Sequence, residues 1–289
     1  MSRSVSIIDD GWGCSMVRAH SSGSRCGSLH DDGALREWRD FPREAAKEAD
    51  AELLLYGGNQ QIDHEAHDRT YLHLLGVQHE LAKAVRAVNP RTILVIVSNC
   101  RVAVIWEQEN LAAIVGGMFL GQEQEQEQEQ GHALADASFG AYNPGGKVST
   151  TWYRHVDDLP AFHDYNMGNG RTYMYFQGVS LYPLGHGLSY TTFEYSGLRV
   201  TGDVIQPGGK ISVEMLPTNT GAREGDERIQ FYVHVPSSAP SSRSWVSSVC
   251  TVPPGPAEPC ASRSRTPIRR CATGTIGNIS SSSSPGTSI

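Results

Sequence analysis

Apolar and polar residues are arranged in blocks along the first half of the chain, and the blocks have two different periods. Leu53, Leu54, Leu55 and Tyr56 form one continuous apolar run that ends at Gly57-Gly58. A short run closed by two glycines predicts a buried strand followed by a tight turn. Ahead of it, FPREAAKEAD from Phe41 to Asp50 reads as a helix. Behind it, Val77, Leu81, Val85 and Val88 recur every three or four residues, which predicts one face of an amphipathic helix stopped at Asn89-Pro90. TILVIVS, from Thr92 to Ser98, is β-branched and apolar on both faces, the composition of a central parallel strand. LAAIV from Leu111 to Val115 supplies a third buried run, Gly131 to Phe139 a short helix, and Val148 to Trp152 a further strand. This alternation predicts an α/β fold: a three-layer sandwich with a mostly parallel sheet covered by helices on both sides.

Past this region the pattern changes. Residues 157–187 are rich in Pro, Gly, Tyr and Asn, as in a long crossing between domains. The period then becomes two in Phe193 to Val200, Lys210 to Leu216 and Arg228 to Val235, with glycine-containing turns between them. Such strands suggest an antiparallel sandwich, but an immunoglobulin-like one needs about seven strands, and the pattern runs out after three. From Pro236 the chain is Ser, Pro and Arg, with Glu258 its only acid, so disorder is expected. The change there is abrupt enough to suggest a break in reading frame. Residues before Leu35 are rich in Gly and Ser and are expected to be irregular. The QEQEQEQEQ tract after Gly121 has nothing apolar to bury and reads as a solvated loop or a frayed helical extension. The expected organisation is therefore an irregular segment (1–40), an α/β sandwich (41–156), a linker (157–187), a partial β-sandwich (188–235) and a disordered tail (236–289).

Composition narrows the partners. A chain of 289 residues allows about two domains. A net charge of -7 argues against nucleic acid, which requires concentrated Lys and Arg. No apolar run approaches the roughly 18 residues of a membrane span, and the N-terminus lacks the apolar stretch of a signal peptide. The six cysteines show neither a CxxC nor zinc-ligand spacing. Cys14 and Cys26 are candidates for a disulfide that sequence leaves open, and Cys100 reads as a small buried hydrophobe.

Candidate chemistry concentrates just after Gly58, where Asp63, His64, Glu65, His67, Asp68 and Arg69 crowd together. In open α/β sheets ligands bind outside the carboxyl ends of the strands, where this segment is expected to lie. A metal site drawn from His64, Glu65, His67, Asp68 and His73 is disfavoured: HEAHD has Asp68 where the helical HExxH motif needs its second His. GxGxxG is absent, so Gly57-Gly58 does not announce a nucleotide, and no cofactor is expected. His186 reads as a packing residue. On composition alone, Glu65 is one solvated glutamate among many.

The wider context changes that weighting. EADAELLLYGGN, IDHEAHDRTYLHLLGVQHEL, ILVIVSN, GHALADASFGAYNPGGK, RTYMYF, LYPLGHGLSYTTFEYSGLRV and TNTGAREGDERIQFYV occur in that order from about Phe41 to Val235. Together they resemble the C-terminal half of glycoside hydrolase family 3, the β-xylosidase and β-glucosidase family, with NPGGK and GHGLSYTTF the more specific pieces. The resemblance implies an α/β sandwich, a linker and an incomplete fibronectin type III-like domain. It implies retaining hydrolysis of terminal β-linked xylose or glucose from oligosaccharides, at an extracellular or cell-wall location. It makes Glu65 the general acid/base, with Asp63 its nearest competitor, and Asp68 and Arg69 a structural loop pair. The family's nucleophile lies on an N-terminal (β/α)8 barrel of roughly 250 residues. That barrel has no counterpart in this sequence, so the isolated chain is expected to be inactive. A non-catalytic carbohydrate-binding or interaction module is the alternative. Several positions depart from the family pattern: Leu75, Arg101 and Ser149 replace usual prolines, the Glu-Gln repeat expands a loop, Pro217 interrupts a probable strand, and Arg228 replaces an apolar residue.

Overall fold

The computed structural model describes residues 5–9, 43, 46–58, 69–118, 124–201, 212–234 and 243–252. They divide into two compact units: residues up to Ala141 with Trp152–Asp158 and Val179–Leu181, and Tyr142–Thr151 with Leu159–Gly178 and residues from Tyr182 onward.

The first unit is built on a parallel sheet. Strands β1 (Val5–Asp9), β2 (Ala51–Gly57), β3 (Thr92–Val97) and β4 (Ala113–Gly117) lie in that order. Register places Leu54 beside Leu94 and Tyr56 beside Ile96. All four are buried, as are Leu53 and Val95. The two central strands thus bury residues of both parities, which the unbroken aliphatic runs predict. Full burial of each leucine contributes about 2 kcal/mol.

Helix α1 (Gln78–Arg86) faces the core through Leu81, Ala82 and Val85. Its charges suit the helix dipole, with Glu80 in the first turn and Lys83 and Arg86 in the last. Asn89 does more than stop the helix. Its buried amide donates to the carbonyls of Ala46 (2.9 Å) and Ala49 (3.0 Å), and its side-chain oxygen accepts the Arg91 N–H at 2.9 Å. The segment leading into β2 is thereby tied to the segment leading into β3. Arg43 and residues 46–48 are helical, as the Phe41–Asp50 pattern predicts for those positions.

Helix α2 (Ile105–Asn110) leads into β4, and α3 (Gln124–Ser138) follows it. Three local expectations are corrected here. The helix expected at Gly131 to Phe139 begins earlier, at Gln124, so the Glu-Gln tract takes the second of its two expected forms, a helical extension; Glu and Gln are good helix formers even when nothing apolar guides them. The run expected as a buried strand at Leu111 to Val115 is strand only from Ala113. It is part-exposed, because β4 lies at the edge of the described sheet. The N-terminal segment expected to be irregular contains β1, which pairs in parallel with β2 from Val5–Ala51 to Asp9–Leu55. Backbone pairing beside an already formed strand overrides the weak local pattern.

In the second unit, β5 (Phe193–Thr201) pairs antiparallel with β6 (Ser212–Asn219), and β7 (Gly225–His234) with β8 (Arg243–Val252). β8 corrects the expectation of a structureless tail from residue 236. A strand that is Ser-rich on paper forms here through ten backbone pairings with β7. The remainder of the expected tail lies outside the described residues. Pro217 pairs with Tyr195 inside β6 and is buried; among the described residues that ladder has one neighbouring strand. Arg228 is exposed between buried Glu227 and Ile229, so its charge costs the interior nothing. The strand expected at Val148 to Trp152 is not one. Its backbone is partnered only at its two ends among the described bonds: the Val148 N–H donates to His186 O, the Val148 carbonyl accepts the Gly185 N–H, and the Trp152 carbonyl accepts the Leu181 N–H, each at 2.8 Å.

Candidate functional site

β2 ends where the chemistry is expected to begin. At Gly57 an added Cβ would collide with the carbonyl of Val97 on β3, so only glycine allows the two strands to stay paired to their carboxyl ends. The Gly57 carbonyl accepts a hydrogen bond from Nε2 of Gln78, the buried first residue of α1, at 2.9 Å. The end of β2 and the start of α1 are thus fastened together. Between them runs the polar segment. Asp63, His64, Glu65, His67 and Asp68 lie outside the described residues.

The chain is described again from Arg69. The Leu72 carbonyl accepts the Ala103 N–H at 2.6 Å, and His73 forms a parallel bridge with Ala103. The Arg69 guanidinium reaches across this junction, donating to His73 O at 3.5 Å and Arg101 O at 3.4 Å, and lies over the Tyr71 ring at 5.8 Å. The residues after the polar segment are therefore fixed to those after β3. Ser98 continues the same rim: its N–H donates to Gly117 O at the end of β4, and its hydroxyl accepts the Cys100 N–H, both at 3.2 Å. The described residues on either side of 59–68 are held at the carboxyl edge of the sheet, the place that α/β chemistry favours. Of the expected Asp68–Arg69 pair, only the Arg69 half is described. Among the described residues, no three His, Cys, Asp or Glu side chains gather closely enough to hold a metal ion.

Two charged clusters escaped the sequence reading. On α1, His79 Nδ1 lies 2.6 Å from Oε1 of buried Glu107, and its ring meets Trp106 edge-on at 5.6 Å. Only the contact reveals this pair, since neither residue belongs to a periodic pattern. In the second unit, NPGGK and GHGLSY pack together. Lys147 Nζ donates to Gly187 O at 2.7 Å and lies 3.2 Å from Oε2 of buried Glu227. The Tyr195 hydroxyl donates to the other Glu227 oxygen at 2.7 Å. Burial first, and then the Glu227 carboxylate, hold this phenol well above its ordinary range.

Asn143 completes the arrangement. Its side-chain oxygen accepts from Ser189 Oγ and the Tyr190 N–H, and its amide donates to Glu224 O, all at 2.8 Å. At Gly187 a Cβ would strike the Gly146 carbonyl, which explains the glycine at that position of GHGLSY. His186 stacks on Tyr182 at 4.7 Å, the packing role expected of it. Burial, and secondarily the Lys147 ammonium, hold its imidazole below the ordinary range.

A family profile described as "Glycosyl hydrolase family 3 C-terminal domain" matches residues 7–190. A xylan 1,4-beta-xylosidase of Xylanibacter ruminicola is 43% identical over 166 residues, 57% of this chain and 18% of that protein. A periplasmic beta-glucosidase of Salmonella typhimurium is 34% identical over 202 residues, 66% of this chain and 26% of that protein. Among solved structures, a Kluyveromyces marxianus beta-glucosidase in complex with glucose superposes with TM-score 0.66 at 29% identity, covering 80% of this chain and 28% of that one. A GH3 beta-glucosidase of Bifidobacterium adolescentis gives TM-score 0.70 at 25% identity, covering 88% and 42%. This chain thus spans about a fifth to a quarter of the length of these two curated relatives.

Proposed function

This chain belongs to the family described as glycosyl hydrolase family 3 C-terminal domain, and on that premise we propose that it serves retaining removal of terminal β-linked xylose or glucose from oligosaccharides, with Glu65 as general acid/base. The observation that carries this reading is that the described residues on either side of 59–68 are held at the carboxyl edge of a parallel sheet. Gln78 holds the Gly57 end, and Arg69 with the Leu72–Ala103 pairing holds the other.

Retaining hydrolysis needs two carboxyl groups about 5–5.5 Å apart, one to attack the anomeric carbon and one to protonate the departing oxygen. In the second half-reaction the same acid, now ionised, takes a proton from the incoming water. Glu65 is the proposed proton-transfer group. By the family resemblance, the attacking carboxylate would come from outside this chain. Asp68 and Arg69 keep their proposed place as the pair that closes the loop. The organisation proposed for the whole is an α/β unit followed by an incomplete fibronectin type III-like domain. An extracytoplasmic working place is supported by the Salmonella relative, whose name describes it as periplasmic. No described helix is long and apolar enough to cross a membrane.

A half-site has a clear signature. Purified chain should release no measurable chromophore from 4-nitrophenyl β-xyloside or β-glucoside. Turnover by the chain alone that disappears in Glu65→Gln would refute the half-site reading.

A further inference from the structure

In the second unit, residues 161–171 (AFHDYNMGNGR) form a loop organised around one carboxylate. Asp164 accepts the Asn166 N–H at 2.9 Å through one oxygen and the Asn169 amide at 2.8 Å through the other. Arg171 closes the loop from its far end, donating to Asp164 O at 2.8 Å and Ala161 O at 3.2 Å. The Asn169 amide is the chief reason that the Asp164 carboxyl is held below its ordinary range, with the Asn166 N–H second. The loop therefore depends on an amide at position 169, and that amide stands in a chemically labile place. Of the asparagines in this chain only Asn169 precedes a glycine. Asn169 is exposed to water, and Gly170 sits at φ 85°, the region glycine favours. No heavy atom lies within 4 Å of where a Gly170 Cβ would stand, so the approach to its backbone nitrogen is open. Among the described residues no acceptor holds the Gly170 N–H. Asn166 supplies the contrast within the same loop: it is equally exposed, but the side chain of Met167 follows it.

We propose that Asn169 is a self-modification site, at which the Gly170 backbone nitrogen attacks the side-chain carbonyl carbon and the amide leaves as ammonia. A bond forms between the Gly170 nitrogen and Asn169 Cγ, and the Cγ–Nδ2 bond breaks. The proton lost from the Gly170 nitrogen departs with the ammonia. Water then opens the cyclic imide at either carbonyl, giving aspartate or isoaspartate. Water is the sole co-reactant, and nothing is oxidised or reduced. The product sets a carboxylate where Asp164 now finds a donor at 2.8 Å; two ionised carboxylates repel, and neither can donate. Isoaspartate also adds a carbon to the backbone ahead of Gly170. The conversion is one-way, and it releases the loop that Asp164 and Arg171 close.

Incubating the full chain for two weeks at pH 8.5 and 37 °C, followed by peptide mass spectrometry, tests this. Asn169 should gain the mass of an amide-to-acid exchange, with isoaspartate among the products, while Asn166 stays unchanged. Asn169→Gln should abolish the conversion there, because its longer side chain would have to close a larger ring. Asn169→Asp carries the carboxylate from the outset. Trypsin should cut it after Arg171 severalfold faster than the unmodified chain, with circular dichroism unchanged. No conversion at Asn169, or conversion equal at Asn166, overturns the site. Cleavage after Arg171 that is no faster in Asn169→Asp or in the converted chain overturns the release of the loop.

Discussion

In the parallel sheet, Leu54, Leu94 and Ile96 are buried within the aliphatic runs of β2 and β3; in the second unit, Lys147 and Glu227 are buried against each other. Both arrangements exclude water, but they answer perturbation differently. Aliphatic contact is non-directional, so a core of this kind tolerates changes of shape better than intrusion on its backbone. A buried ion pair is directional and mutual, and each partner is tolerable only while the other is present. Sequence strength and structural consequence are therefore unrelated here. The residues whose loss matters most in the second unit form no apolar pattern at all.

The largest effect is expected at Gly57. A side chain there meets the Val97 carbonyl, and backbone cannot move aside without breaking the β2–β3 ladder. Gly57→Val should abolish the folded first unit, a loss of about 4 kcal/mol or more, visible as missing cooperative unfolding in calorimetry. Lys147→Met should come next. It leaves the Glu227 carboxylate buried without its cation, costing about 3–5 kcal/mol in denaturant unfolding. Adding Glu227→Gln should recover much of that loss. If the double variant is as unstable as the single one, the pair is not what the second unit depends on.

A smaller effect follows from His186. Its folded-state imidazole is held below the ordinary range, chiefly by burial and then by Lys147. Below the ordinary value of about 6.5, the unfolded chain binds the proton more readily than the folded one. Its contribution is thus fully present above that value and lost as pH falls below it toward the lowered value. Denaturant midpoints measured at pH 7.5 and 5.5 should fall on acidification, and the fall should shrink in His186→Phe, which keeps the stacking on Tyr182.

How much of this was legible follows the same division. β2, β3 and α1 could be read directly because aliphatic periodicity is the cause of their burial. β1 and β8 could not: their segments are poor in apolar pattern, and each forms beside a partner strand that sequence does not name. α3 was half-read, since the Glu-Gln repeat has helix propensity but no face. At the candidate site, Gly57 and Arg69 stood out in the sequence, while Gln78 did not, because a glutamine reaching back to a strand-end carbonyl looks like any surface residue. The proposed assignment of Glu65 rests on the ordered set of family-like segments, and its neighbours in the chain give it no distinction from Asp63.

The role of Glu65 is the central claim, and one measurement addresses it directly. This chain can be joined behind the N-terminal part of the Xylanibacter ruminicola xylosidase, replacing the region it matches, and kcat/KM measured on 4-nitrophenyl β-xyloside. The chimera should turn over, and Glu65→Gln should lower its kcat/KM by roughly 10²–10⁴-fold while Asp63→Asn leaves it within a few-fold. A Glu65→Gln chimera as active as its parent would contradict the account.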